Sequence, residues 1–139
     1  MPYRLSDAEF AAMITLTDLM KRYGYCVKKI ADAGSLYWLA SDQGRCVVGP
    51  DNAGVTLLPI WPHPRFAQDY LARDAVAAAS WAGSSPVEID VHCFLDEDLP
   101  ELLANSYLIA AFPIVPGKAA VVAASDFAAN LHHELSQIE

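Results

Sequence analysis

The side chain best placed to do chemistry is His63, in the run Leu57-Leu58-Pro59-Ile60-Trp61-Pro62-His63-Pro64-Arg65-Phe66. Pro62 and Pro64 restrict the backbone on either side of the imidazole and remove two N–H donors. Held at the mouth of a groove walled by Trp61 and Phe66, beside Arg65 and with Tyr25, Trp38 or Asp69 nearby, His63 would suit an acid, a base or a ligand contact. The same run also serves to end a strand and begin a helix, with the imidazole bonded to a carbonyl. Both readings stand on the sequence. Trp38 and Trp61 are read as core residues first and as a ligand platform second.

Other reactive residues lack the right spacing. His92 and Cys93 are adjacent, and adjacent helical side chains diverge by about 100°, so a dyad needs a partner from elsewhere. Cys93, next to Phe94, is expected to be a small buried residue. His132-His133-Glu134 does not place ligands three or four apart, as metal binding on a helix requires. Cys26, Cys46 and Cys93 are odd in number and widely spaced, which gives neither a disulfide framework nor a metal clip and fits a reducing cytoplasm. No catalytic residue, metal ligand or cofactor site is assigned.

The charge is lopsided. Of a net −8, residues 1–73 carry +1 and residues 74–139 carry −9. No Lys or Arg lies between Arg73 and Lys118, while Glu88, Asp90, Asp96, Glu97, Asp98 and Glu101 do. Nucleic-acid phosphates would be repelled there and a basic protein partner attracted. The alternative is a solvated face that keeps the chain soluble. Lys21, Arg22, Lys28 and Lys29 are read as a cationic helix face, since no glycine-rich phosphate loop or aromatic platform accompanies them.

The elements that must position these residues follow from periodicity. Ser6 and Glu9 form a capping-box pattern, and Met13, Leu16, Met20, Tyr23, Val27 and Ile30 recur at helical spacing toward Gly34. This is one helix or two joined near Gly24, and its stripe would dock on a sheet or form a dimer seam. Leu36–Ala40, Cys46–Val48 and Val55–Ile60 read as a meander turning at Asp42-Gln43-Gly44 and at 50–54. A short helix is expected from about Pro64 to Arg73, Ala75–Ser85 is ambiguous, and Val87–Ile89 reads as a strand. Asp90 should cap a helical stretch split at Pro100. Tyr107–Phe112 is the candidate central strand, paired through a Pro116-Gly117 turn with 119–124. A last helix capped by Ser125 or Asp126 carries Phe127, Leu131, Leu135 and Ile138.

Arg22-Tyr23-x-Tyr25-x-Val27-Lys28-Lys29-Ile30-Ala31-Asp32, Pro59-Ile60-Trp61-Pro62-His63, Phe112-Pro113 and Glu134-Leu135 resemble the small prokaryotic proteins grouped as domain of unknown function 2750. The likeness runs from about Arg22 to the C-terminus. It departs at Arg45, where an aromatic residue is usual, and at Asn105-Ser106, where Asp-Gly is commoner. It implies a cytoplasmic bacterial domain and no established reaction. A looser likeness of layout is to the enhanced-serine-sensitivity B-type domains linked to secretion and toxin immunity; it leans the reading toward binding.

A chain of 139 residues with 54% hydrophobic content is expected to be one domain, 1–139. The expected fold is α+β, a single antiparallel or mixed sheet of about five strands packed by N- and C-terminal helices. No apolar run reaches the roughly 18 residues that span a bilayer, and Asp7 and Glu9 stand where a signal peptide would be apolar. The leading expectation is a non-catalytic cytoplasmic module that binds a basic protein, regulatory or immunity-like. Its surface would be Asp96, Glu97 and Asp98 together with Tyr25, Trp61, His63 and Arg65. The rival is a small-molecule sensor or enzyme using His63.

Overall fold

Ser6 accepts a hydrogen bond from the Glu9 amide and starts α1, Asp7–Thr15. The helical stripe does break in two, but at Leu16-Thr17-Asp18 rather than Gly24, because the Asp18 carboxylate accepts from the amides of Met20 and Lys21 and caps α2, Leu19–Ala33. Two local bonds there outweigh the weak cost of a mid-helix glycine. Gly34 ends α2 in the left-handed conformation, at φ 78°. Met20, on the expected stripe, is instead 72% exposed, because the break rotates it off the buried face. A computed structural model describes residues 2–114 and 118–138. The expected Pro116-Gly117 turn lies outside them.

β1 (Ser35–Ser41) turns through Asp42-Gln43 into β2, which is only Gly44–Arg45. The chain then leaves strand geometry until β3, Leu57–Ile60. After β3 come α3 (Pro64–Arg73) and α4 (Ala75–Ser80), then β4 (Ser85–Asp90), antiparallel to β1. Asp90 caps α5 (Val91–Cys93), which continues as a π-helical turn over Phe94–Asp98 into α6, Leu99–Ala104, with Pro100 in its first turn. Cys93 is exposed, not buried, because the cap turns it toward solvent while Phe94 goes inward. β5 (Leu108–Ile114), β6 (Lys118–Ala123) and α7 (Ala124–Ile138) complete the chain. α7 begins at Ala124, one residue before Ser125.

The α+β class holds, but the strands make two sheets of three, ordered β2-β1-β4 and β3-β5-β6, not one of five. Proline at one position accounts for the split. Backbone groups alternate sides along a strand. The amides of Leu57 and Trp61 face away from β5 and bond Val48 and Tyr37. Pro59 lies between them on that same side and has no N–H, so only isolated bridges connect β3 to β1 and to Val48. On its other side β3 pairs with β5 in parallel, and β6 is antiparallel to β5, which is therefore central. α2 packs on α7 and on this second sheet, burying Tyr23, Cys26, Val27 and Ile30. Leu58, Ile60, Ile109, Phe127 and Leu131 lie in the same continuous core.

Candidate functional site

The corner between β3 and α3 forms as its sequence demands. Trp61 is the last residue bridged to β1, Pro62 follows, and His63 takes an extended conformation that lets its side chain cap α3, with Pro64 in the first turn. His63 Nδ1 accepts from the Arg65 amide at 3.1 Å, so its proton sits on Nε2, which donates to the Tyr3 carbonyl at 3.0 Å. Burial holds the imidazole below its ordinary range, a tendency opposed by the bond to Tyr3. Both ring nitrogens are thus engaged within the fold.

Three of the corner residues named from sequence are brought together around this ring. Arg65 pairs with Asp7 at 2.7 Å and lies over the Phe10 ring at 3.9 Å. Tyr25 donates to Glu9 at 2.6 Å and receives the hydroxyl proton of Tyr3 at 2.8 Å, so protons run in order from Tyr3 through Tyr25 to the carboxylate. Burial and the neighbouring carboxylate push the Tyr25 hydroxyl well above the usual tyrosine range. Lys29 sits over the rings of both tyrosines. Below them, Phe66 touches Phe10, His63, Tyr25 and Phe112.

Trp61 supports the corner from inside. It is fully buried, and its Nε1 donates to the Pro113 carbonyl at 2.9 Å. The groove expected between Trp61 and Phe66 is not open: both walls are buried, and Tyr3 and Phe10 pack where its mouth would be. Three clefts of about 360, 330 and 280 Å³ occur elsewhere. The first two adjoin at Val48 and Tyr70 and are lined mainly by apolar residues; none of the three includes His63. Among the described residues, no three His, Cys, Asp or Glu side chains gather as metal ligands would.

Asp96, Glu97 and Asp98 lie on the π-helical turn between α5 and α6. Asp96 and Glu97 are exposed, and partial burial raises the Asp98 carboxyl. Glu88, Asp90 and Glu101 add exposed carboxylates along the same stretch, and Arg45 pairs with Glu101. Sequence reasoning missed the contribution of residues 2–16. The available signal was complementary: Asp7, Glu9 and Phe10 on one segment, Lys29, Arg65 and Phe66 on the other.

A family profile described as "Protein of unknown function (DUF2750)" matches residues 23–131. The chain belongs to the DUF2750 family. Neither a curated protein nor a solved structure matches it. In this DUF2750 domain the Trp-Pro-His and Phe-Pro pairs meet in space. β5 bulges between Ala111 and Ile114, with Phe112 buried in the left-handed region at φ 55°. Trp61 bonds the Pro113 carbonyl, and Arg22 Nη2 donates to that of Phe112 at 2.5 Å. Arg22 is therefore not part of a cationic face; it is 1% exposed and holds the bulge from within. Arg45 lies over the Trp38 ring at 5.2 Å. Ser106 has φ 56°, a conformation that glycine adopts without strain.

Proposed function

We propose that this DUF2750 domain is a non-catalytic protein-binding module of the cytoplasm, acting in regulation or toxin neutralisation through a basic partner. One observation carries the reading. From Glu88 to Glu101 the surface offers five exposed carboxylates, including Asp96 and Glu97; Arg45 pairs with Glu101, and the Tyr37 hydroxyl donates to Glu88. Such a field attracts a basic surface and speeds its encounter. The engagement of both His63 nitrogens supports binding over acid–base catalysis, since a general base needs a free lone pair near its substrate. No helix among the described residues is long and apolar enough to cross a membrane.

The test is affinity capture from the native host with the wild-type chain and with Asp96→Lys/Glu97→Lys, two exposed positions. The wild type should retain a basic protein that elutes with rising salt, and the charge-reversed chain should lose it. Retention of the same proteins by both chains at every salt concentration would sink the proposal.

A further inference from the structure

We propose that residues 2–16 form a displaceable strap over a second docking site, made by Tyr25, Lys29, His63, Arg65 and Phe66, whose partner is an acidic, aromatic peptide segment of another protein. The strap itself displays the chemistry that the site accepts. Tyr3 lies edge-on to His63, with centroids 5.0 Å apart, and gives its carbonyl to Nε2. Asp7 meets Arg65, Glu9 meets Tyr25, and Phe10 stacks on Phe66 at 5.4 Å and 14°. The receiving side supplies two cations, an imidazole N–H, a hydroxyl and an aromatic floor. The occupying side supplies carboxylates, a carbonyl and rings.

The hold on the strap is lighter than that on α2, which buries six residues. α1 fully buries one residue, Met13; Leu5, Phe10, Ile14 and Leu16 pack half-buried against the core, Arg22 donates to the Leu16 carbonyl, and among the described residues no backbone–backbone hydrogen bond ties 2–16 to the rest of the chain. The Asp7 carboxylate is 95% exposed, so its pair with Arg65 is heavily screened. Residues held in this way open more readily than a core helix. On opening, Phe66, now 2% exposed, loses the Phe10 ring while Arg65 loses Asp7 and Lys29 loses the Tyr3 ring. That leaves an apolar floor rimmed by positive charge, which a segment of the strap's own character would refill. The matched family stretch begins at Tyr23, so the site lies inside it and the strap outside. The proposal does not rest on the acidic face, and either can fail alone.

The experiment uses a fluorescently labelled synthetic peptide of residues 2–16 added to the full chain, read by anisotropy. Tyr3→Ala/Glu9→Ala weakens the resident strap and leaves the receiving residues intact, so it should bind the peptide about tenfold or more tightly than the wild type does. Adding Lys29→Glu should remove that gain. Native-state exchange should show the amides of residues 7–15 opening faster than those of α2 in the wild type. The full-chain Asp7→Lys variant, altered at an exposed position, repeats the comparison if the double variant fails to fold. No peptide binding by a folded strap variant, or exchange in 7–15 as slow as in α2, would overturn the proposal. A concentration-dependent dimer in place of peptide binding would also overturn it, assigning the surface to a second copy's strap.

Discussion

Replacing His63 separates its capping role from its contact with the N-terminal segment. His63→Ala removes the Nδ1 acceptor of the Arg65 amide, a cap worth about 1 kcal/mol, and the Nε2 bond to Tyr3, worth about 0.5–1.5 kcal/mol. The summed loss is about 2 kcal/mol. His63→Asn keeps a side-chain oxygen for the cap and loses mainly the Tyr3 contact, so it should cost about 1 kcal/mol. Urea unfolding gives both values, and exchange of the Arg65 amide reports the cap directly. The pH dependence follows from burial, which lowers the folded imidazole's pKa below its ordinary value of 6.5. As pH falls, the unfolded chain takes up the proton first. The stabilising contribution of His63 is therefore complete above about 6.5 and is lost as pH falls from there toward the lower folded value. Protonation of Nδ1 would also set a donor against the Arg65 N–H. His63→Asn should lack this part of the pH slope. If His63→Ala unfolds within 0.5 kcal/mol of the wild type, or if His63→Asn costs as much as His63→Ala, the assignment of both ring nitrogens is wrong.

Trp61→Phe keeps most of the buried ring but leaves the Pro113 carbonyl without its indole donor, so urea denaturation should show a loss of about 2 kcal/mol. A change below 0.5 kcal/mol would mean that the bulge does not need this bond. Gly49→Ala and Ser106→Gly should act in opposite directions. A Cβ at Gly49 would lie 2.6 Å from the Val55 carbonyl at φ 106°, so alanine should lower the thermal midpoint, whereas glycine at Ser106 relieves φ 56° and should raise it by up to about 1 kcal/mol equivalent. Equal signs for the two would refute the backbone-strain argument.

Local signals were legible wherever a few neighbouring residues decide the outcome. Pro64 behind His63 starts α3, Gly34 ends α2, Asp90 caps α5, and an unbroken apolar run makes β5 central. The break at Asp18 was also local, but helical periodicity continued across it and concealed it. Arg22 read as surface charge because its carbonyl partner lies 90 residues away. The clustering of Tyr25, His63 and Arg65 with Tyr3, Asp7 and Glu9 was likewise hidden, since it depends on where an exposed helix docks.

By itself the sequence determined the family, the α+β class, the polarity of the charge and the Pro-bounded corner, because propensity, capping and composition act over a few residues. Only the tertiary structure decided that β3 runs parallel to β5, that the strands divide into two sheets at Pro59, and that the corner lies beneath residues 2–16. Those outcomes rest on pairings between segments far apart in the chain, where many arrangements satisfy the same local pattern and packing selects among them.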